Sequence, residues 1–420
     1  MDTLHRVSLA LSVFCFGYPF VAAWYWMTGG FLHWLVRERH EPLPDCPPPL
    51  AAYPMVSILL PCFNEADQAA ETFAALVGID YPNWEVIAIN DGSSDRTAEI
   101  LDELAQRIPQ LRVVHLARNL GKSTALNAGA QAARGELLVG IDGDALLDRH
   151  ALTWFVRRFL ADPRLGALTG NPRIRNRATL LGRLQVGEFS SIIGLIKRAQ
   201  SVYGTFFTVS GVICAFRKGA LADAGWWSPA ALTDDVEVTW RLQLAGWRVD
   251  FEPKALCWIL MPETLRGLWR QRLRWAEGGM QSVQAATSPM LRRQVWRLLP
   301  IWCNFVVSTL WAYCMLLGLA AWAVSSLFPE LTGGPLGFGP GPRWWGIVLA
   351  MTYILQSAVS VALDSRFERG LLRSLFWVIW YPLVFWLLHA VTAAAGVPRA
   401  LWRTKSTHGT WVSPDRGVRS

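Results

Sequence analysis

The chain has 420 residues, 52% of them hydrophobic and only 17% charged, with 23 tryptophans. That is too apolar for an ordinary soluble enzyme and points to membrane spans around a folded domain. A net charge of +8 raises nucleic acid as a partner, but the bases flank apolar runs, as cytoplasmic loops do, and no nucleic acid is expected.

Val7 to Val36 is one apolar run, broken mildly by Pro19 and Gly29-Gly30 and ending in Arg37-Glu38-Arg39-His40. It is too long for a signal peptide. It predicts one spanning helix within residues 1–40, its basic end in the cytoplasm. Residues 41–54 are proline-rich and predict a stiff linker, because proline lacks an N–H and fixes φ. The seven cysteines show no C-x-x-C or Cys/His metal spacing. They read as reduced packing residues.

From Met55 onward strands and helices alternate. Strand patterns cover Val56–Leu60, Glu85–Ile89, Leu111–His115 and Glu136–Ile141. Helical patterns cover Asp67–Val77, Asp95–Arg107, Lys122–Ala133 and Arg149–Leu160. This predicts an α/β domain over 55–260, a mostly parallel sheet with helices on both faces. Three polar clusters fall at strand ends: Pro61-Cys62-Phe63-Asn64-Glu65, Asn90-Asp91-Gly92-Ser93-Ser94-Asp95 and Asp142-Gly143-Asp144. Ser93, Ser94 and Asp95 offer capping oxygens. Ligands of such sheets bind at the carboxyl ends of the strands. Asp142 and Asp144, at i and i+2 on an extended segment, point the same way. They suit a hard divalent cation shared with a substrate's phosphates. A D-x-D alone reads equally as a turn, but three clusters at one edge weaken that reading. Lys122 begins a helix, where lysine and free N–H groups suit phosphate; a solvated surface lysine is the alternative.

Residues 170–230 are less periodic. Arg173, Arg175 and Arg177 face either phosphate or water. Gly211, in Thr208–Arg217, lets a sugar approach the backbone or marks a strand bulge. Thr233-Asp234-Asp235 opens a helical pattern, where an aspartate is ordinarily a cap. Met261–Gln284 sets Leu265, Leu268, Trp269, Leu273 and Met280 against Arg266, Arg270 and Arg274 at helical spacing. That suits a membrane interface, and 261–300 read as interface helices. Ile301–Leu327, Trp344–Leu363 and Leu371–Val397 are each long enough to cross a bilayer, giving a membrane region over 301–397. Loop 329–342 is expected outside and Asp364–Arg369 inside. The last stretch holds Pro382 and a basic flank of Arg399, Arg403 and Lys405 that opens the tail 398–420. One kinked span and a re-entrant pair of half-spans both remain open.

Pro61-x-x-Asn64-Glu65, Asn90-Asp91-Gly92-Ser93-x-Asp95, Asp142-x-Asp144, Thr233-Asp234-Asp235 and Gln271-x-x-Arg274-Trp275 stand in order along residues 55–280. They resemble the motifs of processive family-2 glycosyltransferases, among them cellulose, chitin and hyaluronan synthases. Thr169–Arg175, Val186–Arg198 and Trp411–Gly417 resemble the bacterial branch that makes poly-β-1,6-N-acetyl-D-glucosamine. That likeness runs from Val7 to Gly417. The resembled enzymes are expected to carry one more N-terminal apolar segment than this sequence holds. Asp234 also departs from the usual Thr-Glu-Asp.

The resemblance implies a GT-A catalytic domain inserted between N- and C-terminal transmembrane helices. It implies the bacterial inner membrane, with the catalytic domain in the cytoplasm. The implied reaction is processive, inverting transfer of N-acetylglucosamine from UDP-GlcNAc to a growing poly-N-acetylglucosamine chain that is passed across the membrane. Mg²⁺ or Mn²⁺ would sit at Asp144 and Asp142. Nucleotide-sugar contacts fall to Glu65, Asp91, Lys122, Asp142 and Arg274, and the catalytic base is Asp235. Acceptor contacts fall to Trp275, Gln271, Gly211 and Ser210. The lipid bilayer, a small membrane accessory subunit and export machinery are the implied partners. One base candidate without a second acid fits a single displacement. Three other readings stand: single transfer to a lipid phosphate, a different polymer, and a catalytically silent membrane conduit. The set Asp91, Asp142, Asp144, Asp235 and Arg274 speaks against a conduit, and Gln271-x-x-Arg274-Trp275 against single transfer.

Overall fold

A computed structural model describes residues 2–332, 344–378 and 385–402. Helix α1 (Asp2–His33) opens the chain. Strands β1 (Val56–Cys62), β2 (Trp84–Asp91), β3 (Leu111–Leu116) and β4 (Leu137–Ile141) then alternate with helices α2 (Ala69–Val77), α3 (Thr97–Ala105) and α4 (Lys122–Ala132). Next come β5 (Leu146–Leu147), α5 (Ala151–Ala161), β6 (Leu165–Ile174), α6 (Leu180–Phe189) and α7 (Lys197–Tyr203). A wider π-type turn, Ser190–Ile196, joins α6 to α7. β7 (Ile213–Arg217), α8 (Lys218–Asp223), α9 (Asp234–Leu244) and β8 (Arg248–Ile259) complete the sheet domain.

The eight strands lie in the order β3-β2-β1-β4-β7-β6-β8-β5. The first four are parallel, but β7 runs antiparallel to both β4 and β6. The sheet is therefore mixed, with four parallel and three antiparallel pairings among the described residues. The helical excursion 180–203 returns the chain at the end where β6 left the sheet, so β7 must pair antiparallel. β1 and β4 are buried along their whole length, as strands covered on both faces are. Phe73, Leu101, Trp154 and Phe155 cover one face. Leu126, Leu221, Val238 and Leu242 cover the other. The carboxyl ends of β1, β2 and β4 form one edge, and all three polar clusters hang from it.

The three arginines at the end of β6 each meet a carboxylate; Arg173 is buried, while Arg175 and Arg177 stay partly open to water. Arg173 pairs with Asp364 at 2.9 Å, Arg175 with Glu71 at 2.6 Å and Arg177 with Glu368 at 2.5 Å. They were ambiguous because their carboxylate partners lie far away in the chain.

Beyond the sheet run α10 (Leu265–Arg292), α11 (Leu299–Leu327), α12 (Pro329–Thr332), α13 (Trp344–Asp364), α14 (Leu375–Val378) and α15 (Leu387–Trp402). Three segments, Arg6–Glu38, Trp296–Leu327 and Trp344–Asp364, are long and apolar enough to cross a membrane. They mark the chain as membrane-associated. Each has one end on the catalytic domain. Glu38 and Asp364 both bind Arg198, at 2.6 and 2.7 Å, and Arg297 donates to the Gln243 carbonyl at 2.5 Å. Part of the expected outer loop, residues 333–343, lies outside the described residues.

The stretch 371–397 is described except at 379–384. Leu371 packs into the sheet core, and α14 packs on α6. Trp386 meets Trp311, about 18 Å along α11 from its start. Gly396 then lies against Ala276 and Glu277 of α10. Both described ends of the stretch therefore sit on the catalytic side, with Trp386 at membrane depth between them. That favours the re-entrant pair over a single crossing. Pro382, Arg403, Lys405 and Trp411–Gly417 lie outside the described residues.

Arg198 is fully buried and holds the junction together. Its guanidinium binds Glu38 at the end of the first span and Asp364 at the end of α13. Removing one member of a buried ion cluster strands the other charges. Arg198→Met is expected to destabilise the folded protein by about 3–5 kcal/mol. Adding Glu38→Gln should return part of that loss, since Asp364 keeps Arg173 as a partner while Glu38 has lost its arginine. Thermal unfolding in detergent measures both, and a double variant no better than Arg198→Met alone would contradict it.

Candidate active site

The first two strand-end clusters are stitched to each other. The Asn64 N–H donates to Ser93 Oγ at 3.0 Å, and the Ser94 N–H to Asn64 Oδ1 at 2.9 Å. The Glu65 N–H donates to Thr97 Oγ1 at 2.8 Å. Asp95, not the serines, supplies the oxygen at the start of α3, accepting from the Thr97 N–H at 3.0 Å.

Asp91 is fully buried. Its two oxygens accept the Leu120 and Gly121 N–H groups, both at 2.8 Å. It thus shapes the loop that leads into α4. Burial pushes its carboxyl up, and these two bonds oppose the rise. Any contact to a base has to share an oxygen already in use.

Asp142 and Asp144 sit in a turn after β4, closed by the Ala145 N–H on the Asp142 carbonyl at 3.0 Å. They lie in a turn rather than on an extended segment, so the strand argument for a common direction does not apply to them. Asp142 is partly open and accepts the Lys122 ammonium at 2.5 Å. Asp144 is buried. Between them, a Cβ on Gly143 would come within 3.0 Å of the Glu65 side chain. A third carboxylate therefore lies against the D-x-D turn.

Lys122 is not a solvated lysine. It bridges Asp142 and the Gly211 carbonyl, the latter at 3.1 Å. Burial opposes its charge, but Asp142 and Asp234 outweigh burial and hold the ammonium above its usual range.

The stretch Phe207–Gly211 is held by five side chains from three elements, α7, β6 and α9. The Gln200 side chain accepts from the Phe207 N–H at 3.4 Å, and Lys197 donates to the Thr208 carbonyl. Thr239 accepts from the Val209 N–H and Thr169 from the Ser210 N–H, both at 2.9 Å. Asp235 Oδ2 accepts from the Gly211 N–H at 3.2 Å. A Cβ on Gly211 would meet that oxygen at 3.2 Å. The close approach at Gly211 is thus made by Asp235.

Thr233 precedes α9 without a side-chain capping bond, and Asp235 Oδ1 accepts the Val236 N–H at 2.9 Å. Burial, then Asp234, push the Asp235 carboxyl up, while Lys122 and Arg274 pull it down. Lys122, Ile141, Gly211, Cys214, Asp234 and Asp235 line one narrow cleft.

The helix after β8 starts at Thr264, whose hydroxyl accepts from the Gly267 N–H at 3.1 Å. Its buried face includes small residues that hydrophobicity does not mark. Leu265 is 74% exposed, whereas Gly278, Gly279, Ser282 and Ala286 are buried. A Cβ on Gly278 would meet Thr233 Oγ1 at 2.5 Å. That close approach lets α10 bring Arg274 up to α9, where it donates to the Leu232 carbonyl at 3.3 Å. Trp275 is 37% exposed, and the Gln271 side-chain oxygen is buried without a protein partner among the described residues.

A family model described as "Glycosyltransferase like family 2" matches residues 54–278. The chain belongs to that family. This glycosyltransferase is 36% identical over 413 residues to the poly-β-1,6-N-acetyl-D-glucosamine synthase of Staphylococcus epidermidis, covering 95% of the chain and 97% of that protein. The synthase of Staphylococcus aureus strain MSSA476 is 36% identical over 403 residues, with the same coverage. In fold, the glycosyltransferase is similar to the mannosyltransferase PcManGT from Pyrobaculum calidifontis, solved with GDP-Man and Mn²⁺. The TM-score is 0.65, at 22% identity over 95% of this chain and 99% of that one.

Motif reading missed Lys197. It lies buried at the start of α7, and burial pushes its ammonium down to about 8, with Asp235 opposing. The signal was available: a lysine that closes the apolar run Ile192–Ile196 and resembles no solvated face.

Proposed function

We propose that this glycosyltransferase polymerises N-acetylglucosamine from UDP-GlcNAc into β-1,6-linked poly-N-acetylglucosamine, processively and with inversion. In this reading it works in a bacterial inner membrane, catalytic domain in the cytoplasm, and passes the polymer outward with a small membrane accessory subunit and export machinery. One observation carries the reading. Lys122 ties the D-x-D turn to Gly211, and Gly211 in turn lies on Asp235. Donor-side and acceptor-side groups thus share one cleft at the foot of the membrane helices.

Asp142, Asp144 and the nearby Glu65 fit a divalent cation of the Mg²⁺ or Mn²⁺ kind. Such ions take one or two carboxylates and complete their shell with substrate phosphates. When bound, the ion neutralises charge on the departing diphosphate. The chain's own groups do the rest. Asp91 sets the loop 118–122 beside the nucleotide, and Arg274 faces the diphosphate. Asp235 takes the proton of the acceptor hydroxyl as its oxygen attacks the anomeric carbon. The bond from that carbon to the phosphate oxygen breaks, its electrons leave with UDP, and an α-linked donor gives a β-linkage.

Trp275 offers a flat apolar face to the terminal sugar of the chain, with Gln271, Ser210 and Gly211 around it. Trp275→Ala is expected to cut polymer synthesis far more than donor binding, whereas Arg274→Ala weakens both. Normal long polymer from Trp275→Ala would leave the ring a membrane anchor. The function itself is tested by supplying membranes with different radiolabelled UDP-sugars. UDP-GlcNAc is expected to give a long 1,6-linked product. A product from another donor, or one sugar on a lipid phosphate, would overturn the proposal.

A further inference from the structure

The reading of Trp275 as the acceptor platform leaves open what holds its ring. Arg272, three residues earlier, shares its face of α10. The Arg272 guanidinium lies 4.4 Å from the Trp275 ring centroid and 5.5 Å from that of Phe385. Both of its terminal nitrogens donate to Glu188, at 2.5 and 2.6 Å. Glu188, on α6, is 2% exposed. Burial pushes its carboxyl up, and Arg272 pulls it down.

A bidentate pair fixes the plane of a guanidinium, which a single bond does not. A fixed plane gives a half-exposed indole something to lie against, and the cation attracts the ring face. Arg272 is thus committed to Glu188 and two rings, while its neighbour Arg274 keeps an exposed side chain with one carbonyl contact. The partners of Arg272 come from α6, α10 and the segment just before α15. The catalytic domain and the membrane region therefore hold the ring jointly.

We propose that Glu188 and Arg272 are positioning residues for the acceptor: they hold the Trp275 ring in the pose that retains the polymer end, and so set product length rather than donor use. This rests on Trp275 being the platform.

The test compares full-length Arg272→Lys, Glu188→Gln and Trp275→Ala in lipid vesicles with UDP-GlcNAc. It reads donor KM, UDP affinity, melting temperature and product length. Lysine keeps the charge but loses the planar fork. Arg272→Lys and Glu188→Gln are expected to shorten the mean product about tenfold, with donor KM and UDP affinity unchanged. If donor affinity and rate instead fall together with melting temperature while product length holds, the pair is only structural and the proposal fails. Short product from Trp275→Ala beside full-length product from the other two overturns the positioning role alone. Normal product from Trp275→Ala overturns the platform reading and this inference with it. Should Glu188→Gln not accumulate, Arg272→Lys decides by the same criteria.

Discussion

Asp235→Asn is expected to slow polymer growth by about 10²–10⁴-fold while leaving UDP-GlcNAc affinity near its parental value. Asparagine keeps the shape of the side chain, and its carbonyl oxygen still accepts the Gly211 N–H. The stretch Phe207–Gly211 should therefore stay in place, held as well by Thr169, Thr239 and Lys122. Apart from the bond that Oδ1 accepts from the Val236 N–H, only the ability to take a proton is lost. The acid side of the pH profile gives an independent reading. Burial and Asp234 raise the Asp235 pKa, so the active carboxylate is lost at a pH above the ordinary aspartate range. Asp234→Asn removes a like charge and should move that limb to lower pH, with activity retained. Transfer rates and UDP titrations across pH measure both. Polymer from Asp235→Asn with none from Asp234→Asn would make Asp234 the base.

The strand ends were legible because a parallel sheet covered on both faces leaves almost no polar residue except where the strands stop. Asn64, Asp91 and Asp142 stand out against Val56–Leu60, Val86–Ile89 and Leu137–Ile141 for that reason. What each polar residue binds was less legible. Asp91 looked open to a nucleotide, and its oxygens are on the backbone of Leu120 and Gly121. Lys122 looked ready for phosphate, and it bridges two parts of the protein. Spacing shows that a group stands at an edge, but its partner comes from another strand or helix.

The same limit governed the charged residues of the membrane junction. Arg173 and Arg198 find Asp364 more than 160 positions later. No local pattern carries such a pairing. The antiparallel β7 was hidden too, since alternation of elements reports their type but not their direction. The interface helix was read from its period, but the period did not show which residues meet the sheet domain: Gly278, Gly279 and Ser282 are buried beside Leu268 and Val283, and hydrophobicity does not mark the first three.

Asp144→Asn is expected to lower transfer by about 10²–10³-fold, the cost of losing one stabilising group for transition-state charge. Asp144 is buried in the turn after β4, with Gly143 beside it pressed by Glu65. Asparagine removes one negative charge and one ligand without changing the turn's shape. UDP titrated with and without Mn²⁺ should bind the parental protein more tightly with the ion, and Asp144→Asn should lose most of that gain. Metal-independent binding should change little, because the loop held by Asp91 is untouched. Asp142→Asn provides the contrast. It also removes the negative charge that Lys122 meets at 2.5 Å, weakening the tie from the D-x-D turn through Lys122 to the Gly211 carbonyl, so its loss should reach the acceptor side as well. Glu65→Gln should resemble Asp144→Asn in milder form if Glu65 shares the ion. Full activity of Asp144→Asn, or of the parental protein in excess chelator, would remove the cation from the reaction and leave Lys122 and Arg274 to meet the diphosphate's charge.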